Sequence, residues 1–219
     1  MRERRTAVKT DDLIALLSDD LQPAPRGLVL RTLLIGLIAG MILSTGLMLL
    51  VLHPRRDLMV AMHGVPFWMK FFYVLAIGAL GLWIVERQAR AGADAKTPFG
   101  LMAVPVVALI VAASVQLSAP YADSAVLIMG HSSNVCAFLI VMLALPIFAA
   151  LLLALRQLAP TRLTLAGASA GLAAGGWAAS IYAFHCNEST APFVVIWYSL
   201  GILLSAALGA LVGRFALRW

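Results

Sequence analysis

A succession of long apolar runs, separated only by short polar connections, leaves this chain few ways to fold. The runs cover residues 31–52, 65–85, 99–118, 135–155, 163–184 and 192–217. A helix rises about 1.5 Å per residue, so roughly 20 such residues cross about 30 Å of hydrocarbon. A water-soluble chain of 219 residues would bury a core without being 62% hydrophobic and only 12% charged. The runs are continuous rather than alternating, which argues against a lipid-embedded barrel, and the first lacks the cleavage pattern of a signal peptide. The expected class is all-α. It is a polytopic integral membrane protein, a six-helix transmembrane bundle with a short cytoplasmic N-terminal amphipathic helix. Residues 1–30 then form a cytoplasmic partner-binding segment and 31–219 the transmembrane domain.

Basic residues set the orientation. Arg2, Arg4, Arg5, Lys9, Arg26 and Arg31 precede or open the first run, and Arg87, Arg90, Lys96, Arg156, Arg162, Arg214 and Arg218 flank later runs on the same side. Only Arg55, Arg56 and Lys70 fall on the other side. Both termini are therefore expected in the cytoplasm. The net charge of +6 is a topology signal; the basic residues are scattered, with no motif for direct nucleic-acid recognition.

The N-terminal segment carries a pattern of its own. Thr10 is placed to cap a helix whose first turn holds Asp11 and Asp12, and Leu13, Leu16, Leu17 and Leu21 form an apolar stripe. Pro23 and Pro25 end it. So short a helix needs a surface to lie on. One reading lays it on the bilayer or on its own bundle. The other docks it in a groove of a basic cytoplasmic protein, which suits a stripe flanked by four aspartates better than an anionic leaflet does.

Within the runs, small residues recur at intervals of four. Gly36 and Gly40 mark one packing face; Gly167, Gly171 and Gly175 in the fifth run, and Gly201, Ser205, Gly209 and Gly213 in the sixth, mark two more that should pack very closely. Pro105 and Pro146 should bend the third and fourth helices.

The polar turn between the last two runs gathers His185, Cys186, Asn187 and Glu188. This topology places all four histidines, His53, His63, His131 and His185, and both cysteines on the outer side. Cys136 opens the fourth run and Cys186 follows the fifth, so the two are expected to meet. Three readings stand side by side: a structural disulfide, a redox- or metal-responsive thiol pair, and inert apolar filler. A soft metal acting as signal would take His131, Cys136, His185 and Cys186, although their spacing is not that of a compact zinc motif. Nothing in the chain suggests an enzyme or a resident cofactor. It has no Cys-x-x-Cys, no His-Glu-x-x-His, no carboxylate pair and no glycine-rich phosphate loop. The runs are also nearly free of the mid-membrane ionisable groups that an ion-coupled pump needs.

Three marks together resemble the NrsF family of six-span membrane anti-sigma factors, negative regulators of extracytoplasmic-function sigma factors. They are the pattern Asp12-Leu13-Ile14-x-x-Leu17-x-x-Asp20-x-x-Pro23, the cysteine Cys136 at the start of the fourth run, and Cys186 followed by Pro192, Trp197 and Tyr198. The resemblance implies a bacterial inner-membrane protein whose N-terminal residues Asp12, Leu13, Ile14, Leu16, Leu17, Asp19, Leu21 and Pro23 hold a cytoplasmic sigma factor. It also implies that Cys136 and Cys186 sense periplasmic metal or oxidant stress. The competing readings are a small metal or metabolite exporter and a non-catalytic scaffold subunit of a membrane complex. A homo-oligomer stays open under each.

Overall fold

The computed structural model describes residues 10, 11, 14, 15, 27–90, 93–120 and 123–218, and all regular structure within them is helical. Six long helices form the bundle. Helix α1 (Leu28–Leu47) is prolonged by a π-helical turn, Met48–Leu52, and α2 is Val65–Gln88. Helix α3 comes in two pieces, Lys96–Leu101 and Ala103–Leu117. A short helix, Ser124–Met129, precedes α4 (Ser133–Leu158), and α5 is Leu163–Tyr182. Helix α6 (Ser199–Ala216) is entered through Ala191–Phe193 and a second π-helical turn, Val194–Tyr198. The all-α membrane bundle is therefore observed.

One expectation needs correcting. Five stretches are long and apolar enough to cross a membrane: Leu28–Leu52, Val65–Gln88, Lys96–Leu117, Ser124–Leu158 and Ala191–Ala216. Helix α5 has the length but not the apolarity. It is built of alanine, glycine and serine and sits in the middle of the bundle, packed against α2, α4 and α6 and buried over most of its surface. A helix that faces protein on nearly every side needs close approach rather than greasy bulk, because packing rather than water exclusion joins helices inside a bilayer.

The small-residue faces meet as expected. A Cβ added to Gly167 would lie 2.7 Å from the Cα of Gly213, and one at Gly213 would lie 2.9 Å from the carbonyl oxygen of Leu163. Gly171 abuts the backbone of Ser205 and Ala206 in the same contact. On the other side of α5, Gly176 meets Gly78 of α2 and Ala173 meets Gly81. Gly36 and Gly40 let α1 onto α4, over Ala150 and Ile147. Gly201 departs from the pattern, since it faces Ile140 of α4 rather than α5.

The prolines act on their own helices. Helix α3 breaks at Met102, three residues before Pro105. Pro146 lies inside α4, and in the same region Ser44 of α1 donates a buried 2.8 Å hydrogen bond to the Leu143 carbonyl. Such a donor satisfies backbone that a proline loosens within a membrane.

Of the N-terminal helix only Thr10, Asp11, Ile14 and Ala15 are described; all four are helical and exposed. Thr10 lies inside the helix, not at its cap. Asp12, Leu13, Leu16, Leu17, Asp19, Leu21 and Pro23 lie outside the described residues.

Candidate functional site

The turn between α5 and α6 is built around Cys186. After Tyr182 the amides of His185 and Cys186 both bond back to the Tyr182 carbonyl, at 2.9 and 3.0 Å, and this curl carries Cys186 inward to 3% exposure. Cys136, in the first turn of α4, is wholly buried, and neither cysteine is bridged. The two cysteines lie beside each other in the buried core that also holds Tyr182 and Tyr198. Tyr182 and Tyr198 pack with ring centroids 5.6 Å apart, and Phe193 closes on Tyr198 at 6.5 Å. The buried Tyr198 hydroxyl has no hydrogen-bond partner among the described residues.

Two cations hold this turn from outside. Lys70, in the second turn of α2, is fully buried; its ammonium donates to the carbonyls of Cys186 at 2.9 Å and Glu188 at 2.7 Å. It also lies 5.8 Å and 5.7 Å from the ring centroids of Phe67 and Tyr198. Arg55, from the loop after α1, donates its backbone amide to the Phe184 carbonyl at 3.0 Å and its guanidinium to the Cys186 carbonyl at 3.3 Å. Asp57 grips that guanidinium through two 2.7 Å bonds, and the same contact holds the Asp57 carboxyl below its usual range. The carbonyls past the end of a helix have no partners within it, and positive charge beside them complements the helix dipole.

The far side of the turn is pinned with equal economy. The Glu188 carboxylate accepts the His131 amide at 2.8 Å and sits over Gly130, whose φ is +51°. A Cβ at Gly130 would come within 2.7 Å of the Glu188 carboxyl carbon, so the backbone conformation favours glycine there and a side chain would push the carboxylate aside. Thr190 and Trp197 donate to the carbonyls of Leu127 and Ile128, each at 2.9 Å, and the Gln116 side chain accepts the Ala191 amide at 2.8 Å.

These contacts polarise the thiol pair. Cys186 is held below its ordinary pKa, first by the neighbouring Cys136 thiol; burial opposes this, and the Lys70 ammonium assists it. The arrangement sets two unbridged cysteines side by side with the Cys186 thiol acidified, suited to attack on a soft electrophile or, given an oxidant, to joining as a disulfide.

The four-residue metal set is not assembled. Among the described residues no three His, Cys, Asp or Glu side chains lie close enough to share an ion. The His131 ring is 96% exposed and leans on Glu188 at 3.4 Å, while His185 bonds the His53 carbonyl at 2.7 Å. His63 is likewise engaged, with the Met59 carbonyl. Of the four, only Cys136 and Cys186 share a site.

Sequence reasoning counted Lys70 only as one of three outer-side cations and missed its role in the site, along with the packing of the two tyrosines against the cysteines. The signal for Lys70 was present: a lone lysine within an apolar run is costly, and so marks a site that compensates it.

The chain is similar to known proteins over nearly its whole length. The sequence profile of the NrsF family, described as negative regulator of sigma F, matches residues 17–219. A protein of Azospira oryzae named probable anti-sigma-F factor NrsF is 39% identical over 215 residues, covering 97% of this chain and 100% of that protein. The anti-sigma-F factor NrsF of Caulobacter vibrioides is 38% identical over 218 residues, covering 97% of this chain and 100% of its own. No solved structure matches.

Proposed function

This chain belongs to the NrsF family, and from that premise we propose that it is a membrane-bound anti-sigma factor, a regulator without catalytic activity, which holds a cytoplasmic sigma factor through its N-terminal segment and releases it when the outer thiol pair meets metal or oxidant stress. The observation that carries the reading is the full-length likeness to two proteins named as anti-sigma factors. The buried pair Cys136 and Cys186, clamped by Lys70, supplies a chemically apt sensor. The bilayer is the second partner, with α5 crossing it as a sixth span inside the other five and both termini in the cytoplasm of a bacterial inner membrane.

That topology makes a simple expectation. A reporter active only in the periplasm, fused after Trp219, stays silent, because six crossings return the chain to the side where it began. Strong activity would reverse every sidedness statement.

The partner contact is tested with Leu17→Ala. Losing a fully buried leucine contact costs roughly 1.5–3 kcal/mol, about a ten- to hundredfold weakening of sigma-factor binding. Insertion is unaffected, since no spanning helix changes. Pull-down of the sigma factor by the full-length protein, with membrane levels measured in parallel, reads both. Undiminished binding by a normally inserted variant would leave the segment a surface anchor only.

A further inference from the structure

At the end of the bundle opposite the thiols, a cavity of about 700 Å³ opens between the end of α2, the start of α3 and the start of α5. Arg87, Arg90, Lys96 and Arg162 give it four cations. Two are already engaged: Arg90 pairs with Glu86 and Lys96 with Asp94. Arg87 and Arg162 close no ion pair among the described residues. Arg162 is also the N-cap residue of α5, a 20-residue helix whose first turn has no side-chain cap. The unmade amides and the positive end of that helix therefore begin at the cavity wall. The same wall carries two apolar side chains, Phe99 of α3 and Leu165 of α5, which are 49% and 44% exposed.

We propose that this cavity binds one anionic phospholipid, its headgroup phosphate taken by Arg87, Arg162 and the first turn of α5, and its acyl chains lying along Phe99 and Leu165. Each half of the site accounts for something a simpler ligand leaves idle. A free phosphate ion makes no use of exposed Phe99 and Leu165 in the first turns of membrane helices. A zwitterionic lipid does not answer the unpaired positive charge. Basic pockets between helices at a membrane surface are well suited to anionic headgroups, where each Lys or Arg contributes several-fold to affinity. The lipid ties α2, α3 and α5 together at the end away from the thiol turn, independently of what the thiols sense.

The test uses full-length protein, stripped of lipid in detergent and titrated by native mass spectrometry. The probes are phosphatidylglycerol, phosphatidylcholine with the same acyl chains, and inorganic phosphate. One phosphatidylglycerol should bind with a preference over phosphatidylcholine of roughly tenfold or more, and Arg87→Gln with Arg162→Gln should remove that preference. The charge-conserving pair Arg87→Lys with Arg162→Lys should keep most of it, which separates lost charge from lost folding. Phe99→Ser with Leu165→Ser should weaken the lipid but not phosphate. Equal binding of the two lipids, an unchanged preference in the glutamine variant, or phosphate binding as tightly as the lipid would each overturn the proposal. So would a gain in lipid affinity when Asp11, Asp12, Asp19 and Asp20 are all replaced by Asn in the full chain, since the chain's own acidic segment would then be the occupant.

Discussion

Cys136→Ser, Cys186→Ser and the double variant are each expected to lose the response to oxidant or soft metal completely and to the same extent, while repression at rest persists. The equality follows from the geometry. The two cysteines lie side by side in one buried core, so a disulfide or a shared ion needs both. Groups that act as one unit are non-additive, and removing the second costs nothing further. Resting repression survives because Ser is close in size to Cys and the clamp on the turn uses backbone carbonyls, not sulfur. Lys70→Met is expected to separate the two contributions. It leaves both cysteines in place but strips the carbonyls of Cys186 and Glu188 of a buried cationic donor, at a cost of about 1–3 kcal/mol for the groups left unpaired. The response should then weaken, and the Cys186 thiol should become less reactive toward an alkylating reagent in membranes at neutral pH. A sigma-dependent promoter fused to a reporter reads the first set, and alkylation with a mass-tagged maleimide reads the second. A full response in the double cysteine variant would reduce the pair to packing residues.

Gly171→Leu is expected to abolish stable folding of the bundle. At this position a single added carbon already meets the Ser205 backbone, with its carbonyl carbon at 2.9 Å and the Cα of Ala206 at 3.0 Å. A backbone cannot rotate out of the way as a side chain can, so α5 and α6 must separate along the whole contact that Gly167, Gly209 and Gly213 share. Overpacking a well-fitted core typically costs about 1–3 kcal/mol, and the larger side chain here puts the loss at the upper end or beyond. Gly46→Leu supplies the control, because nothing lies within 4 Å of a Cβ built there. Thermal unfolding in detergent and the yield of monodisperse protein measure the effect. Equal melting of the two variants would mean that α5 and α6 do not meet as described.

Much of this was open to a reader of the chain alone. Helix count, the close pairing of α5 with α6 through Gly167, Gly171, Gly209 and Gly213, and the approach of Gly36 and Gly40 all follow from local periodicity, which fixes which residues share a helix face. The meeting of Cys136 with Cys186 followed from topology, because two antiparallel neighbours place those ends together. The break in α3 beside Pro105 followed from the chemistry of proline itself.

A membrane bundle, its packing faces and the end at which its thiols gather all depend on spacing along one chain, and so are written in the order of residues. What surrounds those thiols is fixed by contacts between distant helices. Lys70 comes from α2 and Arg55 from the loop before it, yet both bond carbonyls more than a hundred residues away, and no periodicity records which distant carbonyl a buried ammonium will find. Likewise the histidines share a side of the membrane with the cysteines but turn to other partners, His185 to the His53 carbonyl and His131 to Glu188. Topology assigns a residue to a side and a depth. Convergence on one point is set by the packing of several helices at once, and the same packing leaves α5, the least apolar of the six, at the centre.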